Sequence, residues 1–147
     1  MARKTGMRIS GDKDLIRTLS RIPVRLRIPV LVKSLTQGAK IIQRSARSLA
    51  PKDRGVLFRS IQVKTLPGAP AAVAIRPNYG RAPHAHLVEF GTTARFSTRN
   101  GVSRAHGRMP AQPFMGPAFR RNVKRANKIV GKLILKDVDR IAKQEAR

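Results

Sequence analysis

His84, His86 and Glu89 fall within one short stretch and are the residues most able to ligate a metal or move a proton. On a strand the two histidines would share a face, whereas on a helix they would diverge, and no further carboxylates complete a site. His106 stands alone in a polar segment. Ser45, Ser48 and Ser60 lack a nucleophile-elbow context, and Gly6, Gly11 and Gly38 are too isolated to cradle phosphate. Cysteine is absent, which excludes disulfides and thiolate metal sites and suits folding in a reducing cytoplasm. The expectation is a protein that is not an enzyme, with no cofactor, no metal and no small-molecule substrate.

Charge is the chemistry the sequence does carry. Thirty-two Lys and Arg against seven Asp and Glu leave a net charge of +25 on 147 residues, which calls for an anionic partner, either nucleic acid or an acidic protein surface. The candidate contacts are Arg95, Arg99, Arg104 and Arg108 in a polar stretch, and Lys124, Arg125 and Lys128 on a later basic face that continues through Lys132 and Lys136. The plainer reading of such faces is solvation, but this excess exceeds what solubility needs. Aromatic residues are not interleaved with the cations, so a nucleic-acid contact would be to the backbone alone and strongly salt-dependent. A freestanding, non-sequence-specific nucleic-acid-binding protein is the alternative function on this ground, although no helix-turn-helix, zinc-finger or RNA-recognition pattern accompanies the charge.

The elements that must position these residues follow from apolar spacing. A single domain over 1–147 is expected, with residues 1–22 a peripheral N-terminal segment in which Asp12 caps a short helix. Pro23 and Pro29 interrupt the chain, and a long helix begins near Pro29, with Leu31, Leu35, Gly38, Ile42, Ser45 and Leu49 on one face and Pro51 ending it. Ser60–Thr65 and Ala71–Arg76 alternate as two strands of a hairpin, with Ile61, Val63, Val73 and Ile75 toward the core. Residues 84–91 are ordered, with helix and strand both open. Residues 92–108 are expected to form a flexible basic loop. Pro117 opens a long C-terminal helix carrying Phe119, Val123, Ala126, Val130, Leu133, Val138 and Ile141. The fold class is thus α+β: a long helix in the N-terminal half packed on a small antiparallel sheet, with a long C-terminal helix and a basic loop. No segment reaches the apolar length of a membrane span, and residues 1–10 lack the apolar stretch of a signal peptide.

Three short segments carry a resemblance. The run Ala50-Pro51-Lys52-Asp53-Arg54-Gly55-Val56-Leu57-Phe58-Arg59-Ser60-Ile61 resembles the turn after the first long helix in small tail-component proteins of lambda-like phages. His86-Leu87-Val88-Glu89-Phe90-Gly91-Thr92 is similar to a second signature of that family. Met109-Pro110-Ala111-Gln112-Pro113-Phe114-Met115-Gly116-Pro117-Ala118-Phe119 is similar to its approach to the last helix. Arg54 stands where the family usually has Thr, and Gly116 where Arg or Lys is common. The resemblance implies a structural virion protein for tail completion or head-to-tail joining, assembled in the host cytoplasm as a homo-oligomeric ring, commonly a hexamer. Its neighbours would be neck and tail-tube proteins, and the genome would pass through it.

Gly55, Leu57, Glu89, Phe90, Gly91, Pro113, Phe114 and Pro117 are the residues expected to fix subunit shape and interfaces. Gly55 suits a turn that needs positive φ. Glu89, one of two glutamates in an Arg-rich chain, is expected to pair with an Arg within or between subunits. Phe114, fixed between Pro113 and Pro117, is expected in the core.

Overall fold

The computed structural model describes residues 16–17, 19–20, 22–67 and 71–145. Its elements are helix α1 (Val24–Leu49), a short helix α2 (Val56–Ser60), strands β1 (Ile61–Thr65) and β2 (Val73–Pro77), helix α3 (Ala85–Phe90), strands β3 (Arg95–Arg99) and β4 (Val102–Gly107), and helix α4 (Met115–Glu145). The α+β class stands: a long helix packs with a small antiparallel sheet, and a second long helix closes the chain.

Helix α1 buries Val30, Ser34, Gly38, Ile42 and Ala46 at strict four-residue intervals, and α4 buries Ala126, Val130, Ile134 and Val138 in the same rhythm. Two ridges of this kind pack against each other. The pairing of Lys33 with Asp137 at one end and of Gly38 with Val130 and Ala126 further along makes the helices antiparallel. At Gly38 the two helices approach closely. A Cβ there would collide with the Val130 Cγ2 and meet the Ala126 carbonyl oxygen at 3.3 Å. Asp137, almost fully buried, accepts from Lys33 Nζ at 3.0 Å and pairs with Arg140 at 3.1 Å.

Helix α1 starts five residues before the expected position. Pro23 occupies the N-cap and Pro29 lies inside the helix. A proline at the sixth helical position removes one backbone bond, to the Arg25 carbonyl, and burial of Ile22 and Val30 against α4 holds that turn in place. Gly38 and Ile42 of the expected face are buried, but toward its ends the seam falls one residue away: Val30 and Ser34 are buried with Leu31 and Leu35 flanking them, and Ala46 is buried in place of Ser45. In α4 the expected face is corrected at two positions: Phe119 is 43% exposed and Ile134, not Leu133, is buried. The expected N-cap at Asp12 lies outside the described residues.

The β1–β2 hairpin has the expected antiparallel pairing, with Val63 opposite Ile75. Of the four residues assigned to its inner face only Ile61 is fully buried, and Ile75 packs at the edge of the core. Gln43 Nε2 and Arg47 Nη2 of α1 both donate to the Ile61 carbonyl at 2.8 Å, tying the start of β1 to the helix. The core around this junction is one phenylalanine among small residues: Phe114 is fully buried in a cluster that includes Ala46, Ala50, Ala82, Ala85 and Ala118.

Residues 92–108, expected as an irregular loop, hold a second antiparallel hairpin. The cause is local. Asn100 and Gly101 have φ of 50° and 78°, the two positive values that a two-residue type I′ turn requires, and Arg99 pairs with Val102 across it. The open question at 84–91 resolves as helix.

Candidate functional site

The N-terminus of α4 leaves four backbone nitrogens with no partner inside the helix, those of residues 114–117, and three of them carry a hydrogen. Glu89 takes all three. Its Oε2 accepts from the Phe114 N–H at 2.8 Å and the Met115 N–H at 3.0 Å, and its Oε1 from the Gly116 N–H at 3.0 Å. The fourth position is Pro117, which has no N–H to satisfy. The first bond within the helix then runs from the Ala118 N–H to the Phe114 carbonyl. A side chain from α3 thus caps a helix that begins 26 residues later, and its charge lies at the positive end of the helix dipole. Burial alone would push the Glu89 carboxyl up, but the Met115, Phe114 and Gly116 amides and the nearby Arg120 charge outweigh it and hold the group below its ordinary 4.5. For an Arg partner within the subunit this is a correction: in this chain backbone amides bind the carboxylate, and Arg120 acts on it through its field.

Gly91 completes the joint. With φ 73° and ψ −174° it occupies a region open essentially to glycine alone. A Cβ on it would lie 2.8 Å from both the Ala111 nitrogen and the Met109 oxygen. That close approach lets the Thr92 N–H donate to the Met109 carbonyl at 2.9 Å, the Met109 N–H to Thr92 Oγ1 at 3.1 Å, and the Gln112 N–H to the Val88 carbonyl at 2.8 Å. Residues 88–92 and 109–116, far apart in sequence, are two sides of one backbone clamp. Phe114 anchors it in the core, while Pro113 is exposed and Pro117 half-buried.

The third segment meets the clamp across a cleft of about 340 Å³, lined among others by Arg54, Leu57, His84, Val88, Met109 and Gln112. Gly55 has φ 73° and closes a turn in which its N–H donates to the Lys52 carbonyl at 2.9 Å. Leu57 is buried beneath it. The left-handed glycine expected from the sequence is therefore present, and its role is to turn the chain from α1 into α2. His84 and His86 are both exposed at the start of α3, where a two-residue offset directs them apart. Among the described residues no group of three or more His, Cys, Asp or Glu could hold a metal ion.

The β3–β4 hairpin leaves the body from this clamp. Every side chain from Phe96 to Ala105 is exposed, Phe96 at 70% and Val102 at 61%. Directly opposed residues share a face, so Phe96, Thr98, Ser103 and Ala105 form an uncharged side. Ser97, Arg99, Val102 and Arg104 form a cationic one. Arg95 lies in β3 and exposed Arg108 just past β4, at the base. Phe90, 80% exposed, stands beside that base, where Gly91, Thr92, Arg108 and Met109 line a second hollow of about 210 Å³. Helical geometry dictates this exposure: with Val88 turned to the core and Glu89 to the amides, the next residue must face outward. Lys124, Arg125 and Lys128 are all exposed, on α4, so the two sets of candidate cations lie on separate elements. The missed features, the backbone clamp and the hairpin, had one legible signal each: the Gly91-Thr92 step after α3, and Asn100-Gly101.

Among the described residues no helix is long and apolar enough to cross a membrane. No curated protein and no solved structure matches the chain significantly. A family model does: the one described as "Bacteriophage HK97-gp10, putative tail-component" matches residues 13–91, from before α1 through the Glu89–Gly91 half of the clamp. With more than half of its length matched, and the remaining half of the clamp built to fit that match, the chain belongs to the bacteriophage HK97-gp10 family of tail components.

Proposed function

We propose that the protein is a ring-forming structural component of a tailed-phage virion, joining the head connector to the tail tube in the neck, without catalytic activity. The observation that carries this reading is the β3–β4 arm. A two-stranded ribbon with no core of its own is marginal in water, and this one presents Phe96, Val102, Arg99 and Arg104 to solvent. Aromatic residues and Arg are the types enriched where proteins meet. Gly55, Leu57, Glu89, Gly91, Pro113, Phe114 and Pro117 set the subunit's shape, and Phe90 beside the arm's base belongs to the interface. The arm, with Arg95 and Arg108 at its base, docks on acidic surfaces of adjacent copies and of neighbouring neck and tail-tube proteins. Closure of such head-to-tail contacts gives a ring, with six copies the expected number.

Light scattering on nuclease-treated protein tests this. A defined assembly at a closed multiple of the 16.3 kDa chain, stable to moderate salt and lost on F96S/V102S substitution, is the expected result. A monomer at all concentrations, unchanged by neck or tail components, would contradict it.

A further inference from the structure

Helix α4 carries a feature that joining to protein neighbours does not explain. From Met115 to Lys136 it holds seven Lys and Arg and no Asp or Glu. Lys124, Lys128, Lys132 and Lys136 repeat every four residues, two positions out of step with the buried Ala126, Val130, Ile134 and Val138. A two-residue offset is a rotation of about 200° around the helix, nearly the opposite side, so the lysines form a ridge along the outer face, with exposed Arg121 and Arg125 beside them. Like charges four apart oppose helix formation, and here three such pairs follow one another. Only Lys136 has an acidic neighbour one turn away, Asp139. Asp137, the other acid on this helix near the ridge, is buried and already held by Lys33 and Arg140.

We propose that this ridge binds the phosphate backbone of duplex DNA without regard to sequence. The ridge follows the inclined four-residue row of the helix and rises about 18 Å along the axis from Lys124 to Lys136. A duplex offers a matching line of charge, one phosphate per about 1.7 Å of axis. Its composition separates it from the arm. Lys is depleted in protein interfaces, the ridge's one large exposed apolar neighbour is Leu135, and flexible ammonium groups suit phosphates of variable position. Binding there releases counterions and relieves the repulsion along the helix. The inference does not depend on ring closure, since a single subunit carries the whole ridge.

The test is fluorescence anisotropy of the full-length, nuclease-treated protein with two labelled 24-base-pair duplexes of unrelated sequence, between 50 and 300 mM KCl. Both duplexes bind alike, with log Kd rising steeply with log salt. K124E/K128E/K132E weakens binding at least about 30-fold and lowers the salt slope by roughly 3, near 0.9 per lost phosphate contact. R99E/R104E, on the arm, changes affinity less than about threefold. Circular dichroism confirms the helix, and K124Q/K128Q/K132Q replaces the reversal if that variant does not fold. Unchanged DNA affinity in both helix variants, a loss confined to R99E/R104E, or competition by polyglutamate equal to that by unlabelled duplex would overturn the proposal, the last in favour of an acidic protein partner.

Discussion

Glu89 shows how one side chain can decide a subunit's shape. Its carboxylate satisfies three amides that would otherwise be half-buried and unpaired at the start of α4. Glu89→Ala is expected to cost about 2 kcal/mol, the sum of a lost cap and stranded donors, read as a fall in denaturation midpoint. The same contact has a pH signature. Because folding holds this carboxyl below 4.5, its contribution is complete above that value and is lost as pH falls through the folded pKa. Wild type should therefore lose thermal stability over that acid range relative to Glu89→Gln, which keeps the shape without the titration; parallel melting curves for the two would refute this role. Gly91→Ala must place a Cβ 2.8 Å from two backbone atoms at positive φ, and should destabilise by about 2 kcal/mol or more. Glu89, Gly91, Phe114 and Pro117 were legible in the sequence as a set. Their mutual geometry was not, because a carboxylate's partner can be any donor the fold delivers, and here it is delivered from 25 residues away.

Among the elements, one glycine in each long helix tests the packing, Gly38 at the seam and Gly131 away from it. Gly38→Ala pushes a methyl into Val130 and the Ala126 carbonyl and should cost about 1–3 kcal/mol by spreading the helices. Gly131, in α4, has nothing within 4 Å of a built Cβ, so Gly131→Ala should stabilise by about 0.5–1 kcal/mol through helix propensity. Chemical denaturation of both variants checks the contrast; equal effects would mean the seam is not where Gly38 places it. Periodicity made both helices legible to within a few residues. It placed their faces less well, because a three-and-four spacing describes an isolated helix, whereas a close antiparallel pair buries a strict four-residue ridge through Ser34 and Gly38. The arm was missed for the opposite reason: with both faces in solvent it has no apolar alternation to read, and only Asn100-Gly101 marked its turn.

At the scale of the molecule, a small aromatic-poor core is folded around Phe114, and the largest exposed apolar groups, Phe90 and Phe96, cluster on and beside the arm. Charge is divided: Arg with apolar residues on the arm, Lys in a line on α4. Two of the three segments that carry the resemblance, 50–61 and 86–92, lie within the residues 13–91 that match the tail-component family, and the third, 109–119, meets them at one cleft and clamp. What one chain's sequence could not carry is the identity of its neighbours, which depends on surfaces belonging to other proteins. Amide hydrogen exchange, measured on the free full-length chain and on the same chain in purified tailed particles, tests the joining role most directly. Amides of residues 95–107 should exchange quickly in the free protein and be slowed at least about tenfold in the particle, while those of α4's buried face stay protected in both. Equal exchange of the arm in the two states would contradict the proposal that this protein joins its neighbours through that arm.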